Sequence, residues 1–501
     1  MEDNSLTAQS KQNKWITYGL PAAVALAVLL VVFLYFPFRE KLQYDTDEGL
    51  NLMRAMLVNL GHPLYVEVSS DQPPLLTHLL ALLFRVTGFN VNSARLLILM
   101  FSALLVWSGA QFLQFTWGSA ATLALPVIML LVPRYLELNV SVMIGVPSLA
   151  LAMLALLLLA MWHQRQQEVW LVLSGLALSL SIMIKLFTGF LAPIFVIGLT
   201  AAAYNQRSTS GLSWRLLRPA VIWSAAFGIA SLVIGVLLIG PQNVAPLVLT
   251  HLIATGVEAY QVTDFSINRH LADAVPLLLL ASVGFLFTVQ SRRWLTLYPL
   301  AWAVSAYVLL LFHAPVWYHH QLLVTVPAAV VAAAAAGASI TWLLRLPRTR
   351  QWASLGTVLA VIGVVSLTYT LTSLLPPARK QLSDRPQFTG FVLTATAPKL
   401  EVLNLMNAYA PQTEWVVTDL PMYAFRIQRP VPPNLATFSR KRLETGELSE
   451  SEIMDTMETY QPEMVLMGRF EIPPLEAYLR KNYRRVHAEE GLRLFVRRDL
   501  Q

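Results

Sequence analysis

Apolar runs of about 20 residues recur along most of this 501-residue chain, and that recurrence leaves few folds open. In the hydrocarbon core of a bilayer every backbone N–H and C=O must be paired within the protein, so only helices and closed barrels cross it. Barrel strands would show alternation over ~10 residues, which the chain lacks. With 56% hydrophobic and 13% charged residues, the sequence specifies a polytopic α-helical membrane protein.

Eleven candidate spans lie near residues 17–37, 94–114, 119–133, 142–162, 168–184, 186–204, 219–240, 272–290, 294–312, 321–343 and 353–375. The first runs into charged sequence without a small-residue cleavage site, so it reads as a retained anchor. Placing the N-terminus in the cytoplasm puts Lys11, Lys14, Arg165, Arg207, Arg215, Arg218, Arg292, Arg293, Arg345, Arg348 and Arg350 inside, as the positive-inside rule requires. The net charge of +7 is scattered in these short clusters, which argues for cytoplasmic loops and against nucleic-acid binding. Zero cysteines exclude disulfides and thiolate metal sites. The predicted location is the plasma (inner) membrane.

Under this topology the acids up to residue 375 face outward, apart from Glu2, Asp3 and Glu168. Six of them, Asp45, Asp47, Glu48 and Asp71 together with Glu40 and Glu67, fall in the first outer loop, residues 38–93. Charge at the edge of a bilayer is costly unless it is paired or functional. From Leu50 the apolar positions Met53, Met56, Leu57 and Leu60 continue at helical spacing, with Thr46 or Asp47 as N-cap and Gly61 then Pro63 as the stop. A second helix follows Pro73-Pro74 and runs from Leu75 to Thr87. Both are expected in the interface plane, the second being too short to cross.

Composition changes at Pro376-Pro377. Residues 1–375 form the transmembrane domain and hold 32 charged side chains, whereas residues 376–501 hold 33. The second part reads helix (400–409), strand (415–418), helix with a Ser449–Glu452 capping box (to 460), strand (464–467), helix (475–481) and strand (494–496). Such alternation predicts a small α/β domain, which the odd span count places on the extracytoplasmic side. No glycine pattern for nucleotide binding accompanies it.

Several short motifs resemble those of GT-C superfamily membrane glycosyltransferases, in particular the bacterial protein O-mannosyltransferase and lipid A aminoarabinose transferase group. They are Asp47-Glu48 after the first span, Asp71-Gln72-Pro73-Pro74-Leu75, Ala94-Arg95-Leu96, Lys185 in Ile184-Lys185-Leu186-Phe187-Thr188-Gly189, and Tyr318-His319-His320. The resemblance implies transfer of a sugar from a polyprenyl-phosphate carrier to a lipid, glycan or protein acceptor on the outer face of the membrane. Displacing a lipid phosphate from an anomeric carbon requires a base for the acceptor hydroxyl and cations for the departing phosphate.

Asp47 is the candidate base, its other reading being a helix cap; Glu48 is a second catalytic candidate. Lys185 lies amid apolar sequence, where an ammonium either snorkels to headgroups or meets an anion. The resemblance favours the carrier phosphate, with Arg269 and His251 as secondary candidates for the same anion. It also implies a divalent metal (Mg, Mn or Zn) beside Asp71, completed by His319 or His320. Adjacent histidines on a helix diverge by about 100°, so one of the two is expected to face the cavity. Gln72 departs from the aminoarabinose branch, which has lysine before the two prolines. A lipid or solute transporter and a non-catalytic membrane scaffold are the competing classes; a transporter would usually show matching broken-helix halves, and no internal repeat is present.

Overall fold

The structure is a computed structural model that describes residues 14–205, 214–349, 354–383 and 395–500, apart from 245–246, 248, 250–252, 254–255 and 261. Each of the eleven apolar runs forms a helix. Among the described residues, eight helices are long and apolar enough to cross a membrane: Trp15–Tyr35, Val91–Thr116, Gly145–Arg165, Leu217–Leu238, Ile267–Ser291, Trp294–Leu311, Tyr318–Arg345 and Leu355–Leu382. The other three runs give the shorter apolar helices Ser119–Leu131, Val169–Ile182 and Leu186–Ala202.

The helix Leu322–Thr349 occupies the centre of the bundle. Its alanine run, Ala332 to Ala336, is fully buried because neighbouring backbones come too close for larger side chains. A Cβ on Gly284 would lie 2.3 Å from the Val331 carbonyl oxygen, and one on Gly337 2.3 Å from the Ala121 amide nitrogen. In lipid, where hydrophobicity does not drive helix association, such small-residue seams supply the van der Waals contact.

The loop after the first span departs from the interfacial expectation. Thr46–Asn59 is a helix, but residues Glu48 to Leu57 are buried on every side, so it is an internal helix rather than one lying on a membrane surface. One neighbour is the helix Leu75–Thr87, which packs Leu76, Leu80 and Phe84 inward and leaves Leu82 and Val86 exposed. The other is a short helix from the C-terminal region, Pro421–Arg426. Gly49 makes that second approach feasible, since a Cβ there would sit 2.6 Å from the Met422 amide nitrogen.

The expected boundary at Pro376 falls inside a helix that continues from Leu355 to Ser383. Beyond it, four strands form one sheet: β1 (Val416–Thr418), β2 (Met464–Met467), β3 (Tyr483–Glu489) and β4 (Leu492–Arg497), in spatial order β1-β2-β4-β3. β1 and β2 are parallel, while β4 is antiparallel to both of its neighbours. Strand β3, Tyr-Arg-Arg-Val-His-Ala-Glu, lies outside the sequence expectation. It is an edge strand with its arginines exposed, which masks the apolar alternation. Ser449 and Glu452 do form the capping box of the helix Glu450–Tyr460.

Candidate active site

The first loop, the bundle and the C-terminal region together enclose a cavity of about 680 Å³. Asp47 enters it from the first turn of the Thr46–Asn59 helix. The cap is not Asp47 or Thr46 but Asp45, whose Oδ1 accepts from the Asp47 amide at 2.9 Å. The Tyr318 hydroxyl donates to the other oxygen of Asp45 at 2.9 Å, joining the loop to the start of the central helix. Relieved of capping, the Asp47 carboxyl is pushed up to about 7, first by desolvation among the cavity walls and then by the nearby charges of Asp45 and Asp71.

Glu48, one residue on, has a different position. It is fully buried and does not line the cavity. Its Oε1 and Oε2 accept from Arg95 Nε and Nη2, both at 2.8 Å, and also from the Val142 and Tyr44 amides at 3.2 and 3.1 Å. Arg95 in turn donates to the carbonyls of Phe38 and Lys41. With its oxygens committed to structural partners, Glu48 has no access to a substrate. Its carboxylate and Arg95 pin the first loop to the Val91–Thr116 span.

Asp71 also reaches the cavity, but as the hub of an ion-pair seam. Lys441 Nζ lies 2.5 Å from its Oδ2 and Arg54 Nη2 lies 3.4 Å from its Oδ1. Arg54 Nε donates to Thr437 Oγ1, which donates to the Ser69 carbonyl, so first loop and C-terminal region share one network. Gln72 lines the cavity without adding charge. Lys185 follows the end of the Val169–Ile182 helix, is 4% exposed, and holds Nζ 5.6 Å from the centre of the Phe187 ring. Asp47 is the carboxylate that acts on it electrostatically.

Both His319 and His320 border the cavity, against the expectation of one; they sit in a 3₁₀ turn, Tyr318–Gln321. His320 Nδ1 accepts from the Trp317 amide at 3.2 Å, and the two rings lie 4.6 Å apart. His313 borders the cavity as well. The expected metal set does not assemble around them: no three His, Asp or Glu side chains gather at ligand spacing among the described residues, and Asp71 is held by two cations instead. Arg269 is exposed on the short helix Ile267–Leu271 and does not reach the cavity. His251 lies outside the described residues.

Sequence reasoning missed eight charged or polar lining residues: Asn51, His313, Thr437, Ser439, Arg54, Arg440, Lys441 and Arg469. Arg54 carried a signal, as an arginine within an apolar helical face. Arg440, Lys441 and Arg469 carried none, because they fall in a region where charge is ordinary, and the Asp71 partner of Lys441 lies 370 residues away.

Helical bundle, loop helices and sheet-bearing C-terminal region together have the fold of two solved membrane proteins, ArnT and AglB. Residues 71–238 match the family model for dolichyl-phosphate-mannose-protein mannosyltransferase. The crystal structure of ArnT from Cupriavidus metallidurans bound to undecaprenyl phosphate superposes with a TM-score of 0.59 at 15% identity, covering 95% of this chain and 97% of that one. The archaeal oligosaccharyltransferase AglB from Archaeoglobus fulgidus, in complex with an inhibitory peptide and a dolichol-phosphate, gives 0.54 at 13% identity, over 98% of this chain and 75% of that one. No curated protein matches the chain in sequence.

Proposed function

We propose that the protein transfers a sugar from a polyprenyl-phosphate-linked donor to an acceptor on the outer face of the plasma membrane. The observation that carries this reading is the meeting, in one cavity, of Asp47 and Lys185, a carboxylate that caps no helix and a buried cation with no carboxylate within ion-pair distance among the described residues. The similar ArnT structure holds undecaprenyl phosphate and the similar AglB structure a dolichol-phosphate. The basic clusters of the sequence favour a cytoplasmic N-terminus, which with eleven spans puts the cavity and residues 376–501 outside.

In this mechanism the acceptor hydroxyl gives its proton to Asp47 as its oxygen bonds to the anomeric carbon. The bond from that carbon to the phosphate oxygen breaks, and the electron pair leaves with the polyprenyl phosphate. Lys185 meets the charge that builds on the phosphate, in a site poor in water where a fixed cation acts most strongly. A base near 7 suits the task, being deprotonated at working pH yet able to take a proton. Asp71 serves as a structural hub through Lys441 and Arg54, and no step is assigned to a metal.

The test is mass spectrometry of lipids and glycoconjugates from cells with the wild-type gene, without it, and with an Asp47→Asn allele. A sugar modification present only with the wild-type gene is expected, and it identifies donor and acceptor together. Identical glycan profiles in all three strains would refute the reading.

A further inference from the structure

Five cations line the cavity: Arg54, Lys185, Arg440, Lys441 and Arg469. Three are spent on carboxylates, Arg54 and Lys441 on Asp71 and Arg440 on Glu444. Among the described residues, Lys185 and Arg469 have no carboxylate within ion-pair distance. The proposed mechanism uses Lys185 and leaves Arg469 unexplained.

Arg469 is exposed, yet it is held in place. It sits just after β2, where the amides of Gly468, Arg469 and Phe470 all donate to the carboxylate of Asp419, at 2.9, 2.7 and 2.8 Å. Asp419 is fully buried just beyond the end of β1, so the parallel β1–β2 pair fixes this loop from beneath. The Arg469 guanidinium lies 4.9 Å from the centre of the Phe470 ring, and that ring stacks on Phe438. A loop anchored by three hydrogen bonds and a guanidinium braced on an aromatic pair lower the entropic cost of binding an anion. The two uncommitted cations come from different walls, Lys185 from the bundle and Arg469 from the C-terminal region, and both act on Asp47.

We infer that Arg469 is the centre of a second anion subsite, which takes a phosphate or carboxylate carried by the acceptor beside its reacting hydroxyl. The assignment to the acceptor rests on the transferase reading. In a displacement the attacking oxygen and the leaving phosphate lie on opposite sides of the anomeric carbon. With the leaving phosphate on Lys185, the second cation is left for the other substrate. The planar guanidinium suits either oxyanion by paired N–H donation.

The experiment uses the full chain in discs of uncharged lipid, with inorganic phosphate and acetate as probes, titrated with and without saturating undecaprenyl phosphate. Wild-type protein should bind one of the probes even when undecaprenyl phosphate is saturating; phosphate binding assigns the acceptor group as a phosphate, acetate binding as a carboxylate. Arg469→Gln should weaken that binding about tenfold or more, Arg469→Lys less, and Lys185→Met should leave it within about twofold. Binding of neither probe, full competition by undecaprenyl phosphate, or wild-type affinity in Arg469→Gln would overturn the subsite. Probe binding that depends on Arg469 in a protein that does not bind undecaprenyl phosphate would keep the anion site and sink the transferase reading instead.

Discussion

The cavity has two walls of different character. The bundle wall carries few charges in apolar surroundings, Lys185 foremost, and nearly all of its polar groups stand out in the sequence. The C-terminal wall carries Arg440, Lys441 and Arg469 within a region where charge is ordinary. A charge that is expensive where it lies announces a role, whereas a charge on a water-facing surface does not. The same contrast divides the neighbouring carboxylates: Asp47 is open to the cavity, and Glu48 is consumed by Arg95.

Asp47→Asn should break the contrast most strongly. The amide keeps shape but cannot take the proton, so transfer should fall by about 10² to 10⁴ with thermal stability near wild type. Single-turnover kinetics on purified protein measure this. Arg95→Met, one residue removed from the chemistry by way of Glu48, should do the reverse. It leaves a buried carboxylate without its cation, at a cost of about 3–5 kcal/mol, and should appear as poor expression and a lowered unfolding temperature.

Gly49→Ala probes the junction between first loop and C-terminal region. The added methyl meets the Met422 backbone, and over-packing of this kind costs about 1–3 kcal/mol. Protease sensitivity near residues 421–426 should rise, and if the two walls form one site, transfer should fall with it. The smallest effect is expected in the pH profile. Because the Asp47 carboxyl is raised to about 7, the transfer rate should climb with pH through that value and then level off. The folded state holds the extra proton between the ordinary aspartate range and 7, so this group's contribution to stability falls as pH rises through that window. Asp45→Asn keeps a side-chain oxygen for the cap and removes one of the charges that raise Asp47, so the rising limb should move to lower pH.

The bundle was legible because the bilayer demands it: eleven apolar runs give eleven helices, and the motifs at Asp47, Asp71 and Lys185 converge on one cavity. The placement of the Thr46–Asn59 helix was not legible. Its apolar spacing matches an interfacial helix, and nothing local reveals that Pro421–Arg426 covers its remaining face. Gly49 shows its purpose only when that neighbour is in view. The two cations on Asp71 were not legible, because Arg54 and Lys441 come from another turn of the loop and from 370 residues downstream. Edge strand β3 was hidden by its exposed arginines, which break the apolar alternation by which strands are recognised.

The binding of undecaprenyl phosphate to wild-type protein and to Lys185→Met, compared in the same lipid discs, tests the central claim most directly. A structural lysine buried in apolar surroundings costs ~2.5–3.5 kcal/mol on insertion scales, so methionine should preserve or improve stability. A lysine that holds a phosphate has no neutral substitute. The account predicts that Lys185→Met folds and expresses normally and loses affinity for undecaprenyl phosphate by tenfold or more, in line with a charged hydrogen bond worth about 1.5–3 kcal/mol. Equal affinity in the two proteins would contradict it.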